Sequence, residues 1–399
     1  RGAAIRKRNL DEQQARLQYN LFLNKGIVCQ LQEVQEGRKD DGPANVTDVA
    51  ISGLNAVPDS TDSDEGVAGN NEADQRRVLP FVFFGKAGEF FRIWIVNLLL
   101  TIITLGFYFP WAKVRTNRYF YGNTRLDGVG FSYLANPVTI LKGYFVAAVF
   151  LLLYVVSSMI HPVADLIMSL MVLALFPWVL VRSLRFKAYN SSYRNIRFEF
   201  KGPVAGAYRV FLLWPVLTLL SVGILFPHMI YKQKGYLFNN FCYGSTSFRF
   251  DETGGSFWRL YLIAFGLLIA VVAGAFLIGM TLPLLIAPYL LISYFLLFAF
   301  IVVRQTNIVY NAVGLAEHGF RSSYDMASWI KLQIGNTIGV LLSLGLLIPW
   351  ARIRSARYRA QHMAFIATGD LGQFVATEQK KRDAVGEEIG DLFDMDIAI

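Results

Sequence analysis

The stretch LGFYFPWAKVR at residues 105–115 recurs as VGILFPHMIYK at 222–232 and as LGLLIPWARIR at 344–354. Aligned on Pro110, Pro227 and Pro349, each copy has a glycine four residues earlier: Gly106, Gly223 and Gly345. Each has a base five residues later (Arg115, Lys232, Arg354) and a tyrosine nine later (Tyr119, Tyr236, Tyr358). A further base stands eighteen residues before each proline, at Arg92, Arg209 and Lys331. Asn97 and Asn336 also correspond, and the second copy has Trp214 in that place. Proline lacks a backbone donor and clashes with the preceding turn, so it ends or kinks a helix. Glycine four residues earlier lets the backbone bend. Each copy therefore reads as an apolar membrane segment with a break, flanked by bases and tyrosines that suit the lipid headgroup layer.

The correspondence extends outward. Phe81-Val-Phe83-Phe-Gly85 precedes the first copy as Phe198-Glu-Phe200-Lys-Gly202 precedes the second. Downstream, Tyr121-Gly-Asn-Thr124 resembles Tyr243-Gly-Ser-Thr246, and Lys142 and Arg259 both fall thirty-two residues past their proline. A unit reads as a short strand, a Gly/Pro membrane segment, a basic amphipathic helix, a second short strand and a helical hairpin. Two units are complete. The third stops after its basic helix, which leaves room for a further copy from an oligomeric neighbour. The expected segmentation is an N-terminal extension over 1–79, membrane repeats over 80–197 and 198–320, a partial repeat over 321–368 and a tail over 369–399.

Four apolar stretches reach the roughly 20 residues that a bilayer crossing requires: Val138–Ile160, Val163–Val181, Phe257–Met280 and Leu282–Val303. They form two hairpins with no base at their tips, and bases such as Arg182 and Arg304 stand at their outer ends, so the tips should point away from the cytoplasm. The Gly/Pro segments Ile93–Phe109, Val210–Phe226 and Leu332–Ile348 are shorter and carry bases at both ends. Two readings stand: seven full crossings, or four crossings and three segments that dip in and return. The fold class expected is mainly α: a polytopic α-helical membrane protein with two helical hairpins, three repeated Gly/Pro membrane segments and short interfacial β-strands.

Composition agrees. Of 399 residues, 54% are hydrophobic and only 17% charged, against about 25% charged in soluble domains. Residues 1–79 carry a net −3 and 369–399 a net −5, so the overall +9 conceals +17 between 80 and 368. Low hydrophobicity makes 1–79 read as mostly disordered, with a short helix over Asn9–Val34. Two cysteines are too few for a disulfide framework.

No catalytic constellation is visible. The histidines, at 161, 228, 318 and 362, form no metal pair, and no nucleophile elbow, Walker or dinucleotide motif occurs in a believable setting. The expectation is no enzyme, no cofactor and no metal. Asp165 is the single carboxylate of the long apolar stretches; it reads as a hairpin-tip cap or as a functional membrane acid. His228, where the other copies have Trp111 and Trp350, reads as an interfacial side chain or a specialised site. The Gly/Pro signature reads as a fold hinge with anchors, or as a broken helix lining a substrate path. The bases alternate with aromatic residues beside apolar segments, so anionic lipid is the simpler partner than nucleic acid.

L-G-x-x-x-P-W-A-[KR]-x-R with a following tyrosine, F-x-F-x-G upstream and F-x-Y-G-N-T downstream, resembles the YjgN family of bacterial inner-membrane proteins. The likeness covers about residues 80–370, and the second copy departs from it at His228-Met-Ile-Tyr231. The resemblance implies a multi-pass protein of the bacterial cytoplasmic membrane, of unknown function, and carries no binding or catalytic residue across. The functional expectation is a membrane-organising or sensing protein that binds anionic lipid or a membrane protein partner, with homo-oligomerisation open. The alternative is a small-solute or lipid transporter or channel built from the repeats.

Overall fold

The computed structural model describes residues 76–381; the helix expected over Asn9–Val34 and the outer part of the acidic tail lie outside them. Ten antiparallel strands close into a barrel in which each strand pairs with its sequence neighbours and the last pairs with the first. They are β1 (Arg76–Phe83), β2 (Thr124–Leu126), β3 (Val129–Tyr133), β4 (Ser191–Tyr193), β5 (Ile196–Phe200), β6 (Phe241–Tyr243), β7 (Thr246–Phe250), β8 (Val313–Leu315), β9 (His318–Ser322) and β10 (Met363–Thr368). This overturns the expected mainly α class with only short interfacial strands. Helices do predominate, but the strands form one closed sheet. Pieces of three to eight residues show little alternation of their own; closure pairs them on both sides and leaves no edge.

Antiparallel order puts alternate connections at opposite ends of the barrel. At one end, two-residue turns join β2 to β3, β4 to β5, β6 to β7 and β8 to β9. Asp127-Gly128 and Arg194-Asn195 have positive φ at both positions, as the primed turns of tight hairpins require. At the other end the connections are helical. Between β1 and β2 run α1 (Ala87–Ile103) and α2 (Phe109–Asn123); between β3 and β4, α3 (Pro137–Ile160) and α4 (Pro162–Tyr189). The third hairpin comprises α5 (Val204–Tyr208), a π turn at Arg209–Leu213, α6 (Trp214–Leu220) and α7 (Phe226–Asn239). The fourth has α8 (Gly254–Thr281) and α9 (Ile286–Asn311), and the fifth α10 (Met326–Leu342) and α11 (Ile348–Gln361).

Only the second and fourth hairpins are long and apolar enough to cross a bilayer, with four helices between them. Their side chains are exposed almost throughout, so lipid takes the place of solvent around them. The three shorter hairpins start and end on directly paired strands, for Phe81 faces Leu126, Phe198 faces Tyr243 and Phe320 faces Phe365 across the sheet. The chain reverses at each Gly/Pro tip and comes back by a second helix; the long hairpins return to paired strands too, so helix length and hydropathy are what separate the two kinds. Of the two open readings, the structure takes the one in which these segments turn back.

The barrel interior is aromatic. Five cross-strand pairs point inward: Phe81 with Leu126, Phe131 with Tyr193, Phe198 with Tyr243, Phe248 with Leu315 and Phe320 with Phe365. Ring centroids lie 4.8 Å apart for Phe131–Tyr193 and 5.2 Å for Phe320–Phe365. Eight strands enclose a space that ordinary side chains just fill, so ten need larger ones. Each buried ring contributes about 1.5–3 kcal/mol. The hydroxyls are satisfied, Tyr193 donating to the Leu126 carbonyl at 2.8 Å and Tyr243 to that of Tyr193 at 3.1 Å. A helix over residues 371–381, α12, closes the turn end by setting Leu371, Phe374 and Val375 on this core.

Outside the barrel, the returning helix of each hairpin packs on the outgoing helix of the next. Val114 shares a cluster with Ile140, Ala188 with Ala207 and Val303 with Trp329, and the Tyr231 and Phe257 ring centroids lie 5.9 Å apart. Ile353 of the fifth hairpin then meets Phe90 of the first. Barrel and helical ring both close within one chain, so among the described residues no open strand is left for the further copy that the partial third unit left room for.

Candidate interfacial site

The tips of the three short hairpins share one backbone design. Leu105, Val222 and Leu344 have φ of 50°, 52° and 49°, and Gly106, Gly223 and Gly345 follow at 94°, 86° and 91°. The amides of Leu105 and Gly106 donate to Ile102 and Thr101, those of Val222 and Gly223 to Leu219 and Thr218, and those of Leu344 and Gly345 to Leu341 and Val340. That is the paired bond pattern of a Schellman helix end. Thr104, Ser221 and Ser343 precede the turn, and their hydroxyls accept from Tyr108, Leu225 and Leu347 at 2.9–3.1 Å, supplying a first acceptor to the next helix. Pro110, Pro227 and Pro349 are buried at the start of that next helix. Proline was expected to end or kink a helix; here it begins one, where its missing donor costs nothing.

The three tyrosines fasten the stems. Tyr119 Oη donates to the Lys86 carbonyl at 3.0 Å, Tyr236 Oη to that of Pro203 at 3.0 Å and Tyr358 Oη to that of Asp325 at 3.1 Å. Each acceptor lies where a strand becomes the outgoing helix. Gly85 and Gly202 leave room for the packing, since a Cβ there would stand 2.5 Å from the ring of Phe83 or Phe200.

The signature bases differ in setting. Arg115 is exposed, Lys232 is exposed with its ammonium 5.4 Å from the Tyr231 ring centre, and Arg354 stacks 5.1 Å from that of Trp350. Arg354 also fills the space over Gly335, which ties it to its own outgoing helix. Asn97 and Asn336 are buried between the two legs, their Nδ2 donating to the carbonyls of Ala112 and Ala351 at 3.4 and 3.5 Å. Asn336 Nδ2 also reaches Ser355 Oγ at 3.0 Å, while Oδ1 of both asparagines has no partner. In the second short hairpin this place is taken by Trp214, its ring 4.6 Å from that of His228. Among the described residues, no hydrogen bond or ring contact joins the signature set of one hairpin to that of another. Asp165 lies at the far tip of the second hairpin, in the first turn of α4, where its amide donates to the His161 carbonyl at 3.1 Å.

Several contributing residues escaped the sequence reading. Arg118 donates from Nε to Tyr133 and from Nη2 to Ala135, and Arg357 from Nη2 to Gly85, each capping carbonyls at the start of the next hairpin. Both stand eight residues past their proline, so the alignment already held the signal; the second copy has Gly235 there. Glu378 of α12 is buried and accepts from Ser245 N at 2.7 Å, Ser245 Oγ at 2.8 Å, Thr246 Oγ1 at 2.9 Å and Lys381 Nζ at 3.0 Å. Burial pushes its carboxyl up, but the bonds from Ser245, Lys381 and Thr246 outweigh this and hold it at about 2. Gly244 is required beside it, because a Cβ would stand 2.8 Å from Oε2. Burial lowers His318, opposed by Glu317, and its Nδ1 accepts from the Thr368 amide at 3.1 Å. The Ser328 amide lowers Asp325, which caps α10.

With this geometry in place, comparison with known proteins places the chain. The model of a family of bacterial proteins of unknown function, DUF898, matches residues 78–392. Inner membrane protein YjgN of Escherichia coli strain K12 is 35% identical over 148 residues, 37% of each chain. Inner membrane protein YjgN of Salmonella typhimurium is 34% identical over 147 residues, 36% of this chain and 37% of that one. The chain thus aligns with little more than a third of the length of these relatives. No solved structure matches it.

Proposed function

We propose, starting from the fact that this chain belongs to the DUF898 family and is a multi-pass inner-membrane protein, that it organises or senses the membrane by holding anionic lipid at one bilayer face. One observation carries the reading: all three short hairpins leave and rejoin the same barrel rim. Arg115, Lys232 and Arg354 stand at the same distance from their tips, so they lie at one depth, and the recurring unit reads as an internal repeat that multiplies this basic level. Each base near an anionic surface contributes about 1 kcal/mol. The aromatic packing of the barrel and the helix across its turn end weigh against a solute path along the barrel axis. This reading assigns the chain no catalytic chemistry.

Vesicle reconstitution tests it. The full chain should enrich anionic over zwitterionic lipid in its surrounding shell, and Arg115→Gln, Lys232→Gln and Arg354→Gln together should weaken that preference by more than about tenfold. An equal preference before and after the triple change would reject the reading.

A further inference from the structure

The second short hairpin departs from the first and third at places that converge on one cavity. It measures about 280 Å³ and lies between Val210 of the π turn and the Lys232, Gly235 and Asn239 positions of α7, with Tyr231 and Tyr236 between them. Gly235 stands where the other two hairpins carry Arg118 and Arg357. Nothing replaces those side chains, for a Cβ on Gly235 would meet no atom closer than 3.8 Å. The outgoing helix is also altered: α1 and α10 are α-helical throughout, whereas Arg209–Leu213 winds as a π turn, a feature that widens a helix and often accompanies binding sites.

The cavity offers donors. Lys232 brings an exposed ammonium. Asn239 Oδ1 is occupied by the Phe250 amide at 2.7 Å, and its Nδ2 lies 3.9 Å from the place of the absent Gly235 Cβ. Tyr236 Oη already donates to Pro203, and Asn240 Nδ2 to the Tyr236 carbonyl at 2.7 Å. No carboxylate lines the space. A ligand that fits must accept hydrogen bonds and carry negative charge. Exposed Leu213 and Val216 on the outgoing leg follow Val210 of the cavity wall at three-residue intervals toward the hairpin tip. An acyl chain could follow that apolar track.

We propose that this cavity is a binding site for one phosphate ester, held by Lys232 and Asn239 and carried by an anionic lipid whose chains lie along α6. The site deepens, and rests on, the anionic-lipid reading above. Gly235 leaves it open: in the first and third short hairpins an arginine stands at this position and reaches the carbonyls where the next hairpin begins.

The test titrates the full chain in detergent with short-chain phosphatidylglycerol, and in parallel with inorganic phosphate, following Trp fluorescence and native mass. One phosphatidylglycerol should bind per chain, about tenfold or more weaker in Lys232→Gln, as the loss of a charged hydrogen bond predicts. Gly235→Arg, which sets a long cationic side chain on the cavity wall, should abolish binding. Competition by inorganic phosphate at equal concentration would name a soluble phosphate as the occupant; its failure to compete names the lipid. If Gly235→Arg melts early, Lys232→Gln decides alone. Wild-type affinity in both variants overturns the site, while the vesicle measurement on the three bases together still judges the broader reading separately.

Discussion

Arg357 Nη2 donates to the Gly85 carbonyl at 3.4 Å, joining the fifth hairpin to the first across 272 residues of sequence. Arg118 makes the same kind of junction between the first and second, at 3.4 and 3.3 Å. Removing either leaves a partly buried carbonyl unpaired. Arg357→Gln and Arg118→Gln should each lower stability by about 1–3 kcal/mol in detergent melts, whereas the exposed Arg352→Gln on the same helix should change it by less than about 0.5 kcal/mol.

The hairpin tips hold strain that can be relieved. Val222 at φ 52° is β-branched, and such residues avoid the left-handed region. Val222→Gly should therefore raise stability by about 1 kcal/mol and Gly223→Ala should lower it by a similar amount, measured by urea unfolding in micelles.

At the stem, Tyr236→Phe removes only the hydroxyl bonded to Pro203 and should cost about 1 kcal/mol. Gly202→Ala should cost more, since its Cβ would stand 2.5 Å from the Phe200 ring and 2.7 Å from Tyr236 Oη. The order of the two melting temperatures checks the packing account.

Glu378 makes the seating of α12 acid-sensitive. Its folded carboxyl lies at about 2, below the ordinary 4.5, so its contribution is complete above about pH 5 and is lost as pH falls toward 2, amounting to at most about 3 kcal/mol. Hydrogen exchange over 371–381 should accelerate across that window. Glu378→Gln should weaken the docking at neutral pH and remove this acid step.

Topology is checked by cysteine labelling. Single cysteines replacing Lys86 and Asn117, before and after the first tip, should react from the same membrane face, the cytoplasmic one. A cysteine replacing Ser158, beside the tip of the second hairpin, should react from the other face.

The long hairpins were legible because twenty or more apolar residues are a signal in themselves; Pro137–Ile160 and Pro162–Tyr189 fall within a few residues of the expected spans at their inner ends. The Gly/Pro tips were legible as a pattern, but the role of proline was reversed, because Pro110 looks the same in sequence whether it ends one helix or starts the next. The barrel was not legible. Leu126 pairs with Phe81 and Phe365 with Phe320 over spans of more than forty residues, and strands such as Thr124–Leu126 are too short for a period to register. Phe81, Phe131, Phe198, Phe248 and Phe320 did hold a trace of it, one inward-facing phenylalanine in each odd-numbered strand. Glu378 had a signal too, standing four residues past Phe374 and three past Val375 on the docked face of its helix, but it read there as one more acid in an acidic tail.

Five is an odd number, and the hairpins alternate short and long around the rim. Alternation around an odd wheel must fail once, and it fails where Ile353 meets Phe90, with two short spokes side by side. Every other boundary sets a shallow hairpin against a deep one. The molecule therefore has a front within the plane of the bilayer: a lipid diffusing up to that sector meets two shallow hairpins side by side, and everywhere else a shallow hairpin is flanked by deep ones.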